Sequence, residues 1–199
     1  MALEIKDLQT RLEHYSLTGA TGGSTYVRWG HTSCPSRTEL VYDGYAGGGF
    51  WEHSGAGTNY LCLPKNPEWS SKLVTPPREY GYVYGAEYQT HGSTMDAVKD
   101  HEIPCAVCRI NSKSVVMIPA KWTCPSGWIR EYYGYLVSER YNQVSSKEFV
   151  CMDENPQTVP GTYVNRDGAL FYLQKARCGS LPCNPYIEGR VLICVVCAK

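Results

Sequence analysis

Short runs rich in tyrosine and valine, broken by clusters of Gly, Pro, Asn and Ser, dominate the chain after residue 17. The clearest runs are TYVRW, ELVYDGY, YGYVYGAEY, SVVMIPA, GALFYLQKA and RVLICVVCA. Apolar and aromatic runs bounded by turn-forming residues are typical of β-strands. No convincing helical pattern follows Leu17. The sequence therefore predicts a mainly β fold.

The first 17 residues follow a different pattern. Ile5, Leu8, Leu12 and Tyr15 have the 3-4-3 spacing of a coiled-coil seam, with charged residues between them. Residues 1–17 are therefore predicted to form a short coiled-coil helix for oligomerisation, and TGATGGS at 18–24 a flexible linker. An amphipathic helix docked on its own domain is the alternative.

The rest of the chain consists of two halves with similar sequences. TSCPSRTELVYDGY at 32–45 aligns with WTCPSGWIREYYGY at 122–135, and CAVC at 105–108 aligns with CVVC at 194–197. Four cysteines of one half recur in the other half at an offset of 89 or 90 residues. This self-similarity predicts an internal duplication, with a first β repeat at 25–111 and a second at 112–199. We expect two homologous, disulfide-stapled β subdomains related by pseudo-twofold symmetry.

The cysteine content favours disulfides. An even set of ten cysteines predicts an oxidising compartment, and hence a secreted, extracellular protein. Residues three apart on a strand point to opposite faces. Each Cys-x-x-Cys strand is therefore expected to pair with the two earlier cysteines of its own half, although exchange between the halves stays open. The ten are Cys34, Cys62, Cys105, Cys108, Cys124, Cys151, Cys178, Cys183, Cys194 and Cys197.

Three further expectations concern these cysteines. Cys178 and Cys183 have no counterparts in the first half, and we expect them to close a small local loop. A zinc site built from both Cys-x-x-Cys pairs is an alternative, but CAVC and CVVC are apolar and strand-like, unlike a zinc knuckle. A thioredoxin-type redox pair is disfavoured because no helical pattern follows either motif.

Charge and motif content narrow the functional classes. Nineteen basic residues balance nineteen acidic ones without a basic stripe, so nucleic acid is not an expected partner. No apolar run approaches the roughly 20 residues of a membrane span. Residues 1–12 lack the apolar core of a signal peptide, so we expect a mature form. No catalytic fingerprint occurs, and an even cysteine set leaves no free thiol, so an enzyme is not expected. His31, near Cys34, and the pair Glu52 and His53 could act as acid–base groups, but single histidines near disulfides are usually structural.

Several longer motifs carry a family resemblance. They are YVRWGHTSCPS, ELVYDGYAGGGFWEHSGAGTNYLCLP, YVYGAEYQT, IPCAVC, MIPAKWTCPSGWIREYYGYL and GRVLICVVC. They closely resemble the C-terminal noncollagenous domain of short-chain, spongin-like collagens of sponges and other marine invertebrates, over nearly everything after Ser24. CPSGWIREYYGYL is more distantly similar to the start of a repeat in the noncollagenous domain of type IV collagen. The resemblance implies tandem β subdomains with internal disulfides that assemble as trimers. The chain itself has no Gly-X-Y tract.

A glycine-rich loop in the first half is the candidate ligand site. The segment AGGGFWEHSGAGTNYL at 46–61 differs from its counterpart in the second half and combines aromatic rings with hydrogen-bonding groups, as sugar sites do. Packing of these aromatic residues into the seam between the halves is the alternative. The candidate ligand-binding residues are Asp43, Trp51, Glu52, His53, Asn59 and Tyr60.

These features predict a secreted, non-enzymatic, lectin-like domain that gains avidity by oligomerisation, most simply as a homotrimer. Its expected partners are glycans or glycoproteins of the extracellular matrix or cell surfaces. The alternative is a structural module for trimerisation and assembly of a collagen-like matrix protein. No cofactor is expected. A calcium site from Asp96, Asp100 and Glu102 is a weak candidate because these residues lack a recognised loop spacing.

Overall fold

A computed structural model describes residues 22–71, 81–93, 95–111 and 113–199, and it is mainly β, which confirms the predicted class. A 3-10 turn at Asp96–Val98 is the only helical segment in these ranges. The predicted N-terminal helix, with Ile5, Leu8, Leu12 and Tyr15, lies outside the described residues. The strands are β1 Gly23–Trp29, β2 Glu39–Gly48, β3 Leu61–Pro64, β4 Tyr84–Gln89, β5 Pro104–Asn111, β6 Val115–Pro119, β7 Ile129–Ser138, β8 Val150–Asp153, β9 Ala169–Leu173 and β10 Ile193–Ala198.

The two halves use the same local strand order. In the first half the order is β1, β5, β2, β3, and in the second half it is β6, β10, β7, β8. The second strand of each order, β5 in the first half and β10 in the second, carries the Cys-x-x-Cys motif. Both β2 and β7 contain an irregularity in register, at Val41 and at Glu131 respectively. The sequence similarity between the halves is thus matched by similar strand pairing.

The halves share one continuous sheet. Trp29 of β1 pairs with Met152 of β8 in a parallel bridge. Strands β4 and β9 pair in parallel along four positions, from Ala86 opposite Ala169 to Gln89 opposite Tyr172. Side chains of both halves fill one core, in which Tyr88, Phe171, Ile103 and Met152 are fully buried. The second half is therefore joined to the first by both pairing and packing.

Five disulfides join all ten cysteines. Cys108 bonds Cys34 and Cys105 bonds Cys62, while Cys197 bonds Cys124 and Cys194 bonds Cys151. Each Cys-x-x-Cys strand thus sends one sulfur to each side, and no bond crosses between the halves. Cys178 and Cys183 close a local loop. Five disulfides suggest an oxidising, extracellular environment.

The structure offers no candidate for a helical membrane span. None of the helical segments in the described ranges is both long enough and apolar enough to cross a bilayer.

Two glycines allow a close approach of neighbouring strands. Gly44 on β2 faces Pro64 on β3, and Gly134 on β7 faces Asp153 on β8. A Cβ atom at Gly44 would overlap the carbonyl oxygen of Leu63, and one at Gly134 would overlap that of Met152. Only glycine therefore fits at these two corresponding positions.

Candidate functional site

The glycine-rich loop of the first half packs against the second half, and this changes the role of Tyr60. The Tyr60 side chain is only 4% exposed, and its hydroxyl donates to the carbonyl of Leu170 at 2.8 Å. Its backbone N–H donates to Glu148 Oε1 at 3.0 Å. Burial raises the pKa of Tyr60 well above its ordinary value. Tyr60 thus belongs to the core between the halves and is not available to a ligand, because its loop is covered by the second half.

Other candidates in the first half do not converge on one site. Asp43 forms an ion pair with Lys65 at the end of β3. The His53 ring packs against Phe50 at 5.1 Å between ring centroids and against Tyr84 at 5.7 Å. Glu52 and Asn59 are exposed. None of these candidates lines the cavity beside Trp51.

Trp51 lies at the seam between the halves. Its backbone N–H donates to Gly168 O at 2.9 Å, and its carbonyl accepts from Ser145 N at 3.0 Å. Next to it is a cavity of about 190 Å³. The cavity is lined by Trp51, Arg140, Asn142, Gln143, Asp167, Leu170 and Tyr172. Sequence reasoning selected Trp51 but missed its six partners, because all of them lie at least 89 residues away in the chain.

Polar atoms at this seam lack partners. Trp51 Nε1 is buried, and it has no hydrogen-bond acceptor in the described structure. Glu139 Oε2 is also buried without a donor, while its Oε1 accepts from Leu170 N at 3.0 Å. Unpaired buried donors and acceptors are uncommon in folded proteins. The seam therefore holds one unpaired donor and one unpaired acceptor, both out of contact with solvent in the described structure.

A buried ion pair lies close to the seam. Lys147 Nζ is 3.8 Å from Glu139 Oε1 and also donates to Ser145 Oγ; neither charged side chain is more than 3% exposed. Burial raises the pKa of Glu139 to about 7 and lowers the pKa of Lys147. The Lys147 stem lies against Gly48 of the first half, where a side chain would crowd it, and Lys147 Nζ lies near Gly49. No sequence motif predicts this ion pair.

A larger groove of about 670 Å³ opens beside the Trp51 cavity, and Arg140 and Tyr172 line both. The Tyr141 side chain, 91% exposed, stands at this groove. Along its floor runs the segment 172–177. Ala176 in that segment is bonded through its backbone to its own half, donating to Arg190 O at 2.8 Å and accepting from Gly189 N at 2.9 Å. No strand of the described chain pairs with the other edge of 174–177.

The remaining acid–base and metal candidates have local partners. His31 Nδ1 lies 3.2 Å from Ser33 Oγ, and burial lowers the pKa of His31. Asp96 accepts from Gly92 N, whereas Asp100 lies beside His91 and Lys99. These acidic residues and Glu102 do not form a common cluster. Among the described residues, only Cys178, Cys183 and Glu188 are close enough together to share a metal ion, and both cysteines are consumed by a disulfide.

No family model matches the chain, and no curated protein matches it significantly.

Proposed function

We propose that the chain is an extracellular, non-enzymatic assembly module, formed by tandem duplication, that binds further copies of itself through the groove at 172–177. The observation that supports this proposal is the pairing of two segments inside the chain. The corresponding segment of the second half has no pairing partner at the same edge within the described chain. The order of the assembly, a trimer, rests on the resemblance to noncollagenous collagen domains.

The internal junction is the parallel pairing of β4 with β9, in which residues 86–89 meet residues 169–172. Segment 174–177 corresponds to 86–89. Tyr88, like Ala176, is bonded through its backbone to its own half, donating to His101 O at 3.1 Å and accepting from Asp100 N at 3.0 Å. In the first half, β9 pairs with the other edge of residues 86–89. In the second half the same edge faces the groove.

The segment that would fill the groove is also present in the chain. Tyr84 pairs with Gly48 at the end of β2, as Tyr172 pairs with Ser138 at the end of β7. Residues 81–84 therefore correspond to residues 169–172. Within the internal junction, Leu170 is 2% and Phe171 is 0% exposed, whereas their counterparts Tyr82 and Val83 are 53% and 58% exposed.

Two further sets of exposed residues agree with this proposal. Tyr141 corresponds to Trp51, which packs at the seam, yet Tyr141 is 91% exposed. Strands β3 and β6, the counterparts of β8 and β1, lie at sheet edges in the described structure. Leu61 on β3 is 38% exposed and Val116 on β6 is 40% exposed. A strand from one copy in the groove of the next is a heterologous contact, which closes into a ring when the rotation between copies permits.

The test is the mass of the full chain in solution by analytical ultracentrifugation. We expect wild type to sediment at about three times the chain mass of 22.3 kDa. Val83→Lys places a charge on residues 81–84, the segment proposed to bind in the groove of the next copy, and should give monomers. Val164→Lys is the matched control, because Val164 is 54% exposed and lies outside the corresponding segments. A Val83→Lys chain that assembles like wild type, or a wild type that stays monomeric at high concentration, would contradict the proposal.

We also propose carbohydrate binding as a second function, supported by the Trp51 cavity. That cavity combines two aromatic rings with amide, guanidinium and carboxylate groups, the combination that sugar sites use. The test is a glycan array with intact protein, with and without a calcium chelator. We expect binding to be lost in Trp51→Phe and kept in Trp69→Phe, since Trp69 is 85% exposed and does not line the cavity. A blank array from folded, assembled protein would refute this second function.

A further inference from the structure

We infer that the Trp51 cavity binds one neutral, terminal sugar ring with adjacent free hydroxyls. This inference rests on the second proposed function, carbohydrate binding, and it specifies the ligand and the atoms that would hold it.

The size of the cavity favours a single ring. Its volume is about 190 Å³, whereas pockets for drug-sized ligands are roughly 300–1,000 Å³. The Trp51 and Tyr172 side chains form part of the wall, and aromatic rings provide apolar faces against which the C–H groups of a sugar can stack. A longer saccharide would have only its last ring inside, so the site should recognise chain ends.

The charges that line the cavity favour a neutral ligand. Arg140 is the only cationic residue of the lining and Asp167 the only anionic one. In the described structure neither forms an ion pair within 4.0 Å. A guanidinium group only donates hydrogen bonds and a carboxylate only accepts them, whereas a hydroxyl does both. Two adjacent sugar hydroxyls therefore match one guanidinium and one carboxylate without leaving net charge.

The amide groups have distinct roles. The Gln143 side-chain oxygen accepts from the Arg140 backbone N–H at 2.8 Å, which fixes the turn that carries Arg140. Gln143 is therefore a positioning residue. Asn142 is exposed at the same cavity and has no such contact in the described structure, so its amide is available to a ligand.

The indole N–H of Trp51 is the signal that reports an occupant of the cavity. Trp51 Nε1 is itself buried and has no acceptor in the described structure. A sugar ring that stacks on the Trp51 side chain changes the shielding of this N–H, which gives a spectroscopic signal at one defined atom. Trp51 is one of five tryptophans, so its indole resonance can be assigned by substitution.

The experiment is a titration of the full chain, labelled with ¹⁵N at its tryptophans, with methyl glycosides of glucose, galactose, mannose and glucuronic acid. We expect at least one neutral glycoside to shift the Trp51 indole N–H saturably, and the glucuronide to bind at least tenfold more weakly. Asp167→Asn and Arg140→Gln should each weaken binding at least tenfold. The Trp69 indole signal should not move, and the indole signal of Trp29, which is 6% exposed in the core, serves as an internal control for folding in every variant.

The failures of the two proposals can be told apart. A positive glycan array with an unshifted Trp51 indole would keep carbohydrate binding and overturn this site. Equal binding of the glucuronide, or of an oligosaccharide whose end rings carry no free hydroxyls, would overturn the neutral, terminal ligand. An unshifted indole together with a blank array would overturn both.

Discussion

Replacing Gly134 with alanine should be among the most damaging single-methyl changes in this protein. A Cβ atom there would lie far inside the 3.0 Å below which real Cβ contacts are essentially never found, and the atom it meets is the backbone oxygen of Met152. Strand β8 would have to move by about 1 Å. It has little freedom to do so, because it lies between β7 and β1 and the Met152 side chain is fully buried.

The expected loss follows from the contacts that such a shift disturbs. Overpacking of a core costs about 1–3 kcal/mol, and each weakened ladder hydrogen bond adds about 1 kcal/mol. With two of the β7–β8 bonds affected, Gly134→Ala should lower the free energy of unfolding by about 3–5 kcal/mol. For a chain of this size that corresponds to a decrease in Tm of roughly 6–20 °C. Gly44→Ala should cost less, because β3 pairs with only one other strand of the described chain and can move away from β2 more easily.

The assay is urea unfolding and calorimetry of Gly134→Ala and Gly44→Ala, with Gly85→Ala as the matched control. Gly85 is also a strand glycine, but a Cβ there would meet nothing within 4 Å. Gly85→Ala should therefore be neutral or stabilise by about 0.5–1 kcal/mol through reduced freedom of the unfolded chain. If Gly134→Ala and Gly85→Ala unfold at the same temperature, the close approach of β8 to β7 is not as described.

Two further predictions concern buried charge. Folding raises the pKa of Glu139 from the ordinary 4.5 to about 7, so the stability that this group contributes is complete below pH 4.5 and is lost as the pH rises to about 7. Glu139→Gln should therefore flatten the fall in the urea midpoint between pH 5 and 7, whereas the exposed Glu52→Gln should not. Equal slopes in both variants would exclude Glu139 as the cause. Arg37→Met should lower the free energy of unfolding by about 2–3 kcal/mol, since it leaves the fully buried Glu131 carboxylate with only the Tyr26 hydroxyl. Arg177→Met, at an ion pair whose arginine is 89% exposed, should change it little in the same chemical denaturation series.

The sequence was sufficient to predict several of the strands, and that the two cysteines of each Cys-x-x-Cys motif bond to different partners, because both depend on a local rule. Which partner each cysteine takes was left open. Alternation of side chains along a strand separates Cys105 from Cys108, whatever the rest of the fold. It was not sufficient to place Tyr60. A tyrosine in a glycine-rich loop turns inward only if another segment covers it, and the covering residues, Glu148 and Leu170, are 88 and 110 positions away.

The site was predictable only in part for the same reason. Trp51 could be selected from its loop, but Arg140 and Asp167 reach it through the pairing of the halves. The ion pair of Glu139 with Lys147 has no pattern in the sequence, since its charges are buried where the Gly48 and Gly49 backbone leaves room. Long-range contacts of this kind depend on register across the whole sheet, which a short motif does not encode.

The charges at the internal junction distinguish it from the contact proposed between copies. The internal contact is held by two ion pairs, Arg28 with Asp153 and Arg37 with Glu131, whose carboxylate side chains are 5% and 0% exposed. The registers of the two halves place Ile118 and Pro64 at the positions that correspond to the first pair.

The corresponding positions for the second pair are Gly127 and Val41, so the counterpart junction carries none of these charges. If copies assemble as proposed, their contact at β3 and β6 is apolar and the contact within each chain is ionic. A mispaired arrangement, with β1 against β3 or β6 against β8, would set these arginines or carboxylates against an apolar surface, at a cost of about 2–5 kcal/mol for each pair broken. The difference between the halves therefore favours the pairing of β1 with β8 and leaves the apolar edges at β3 and β6 for contact between chains.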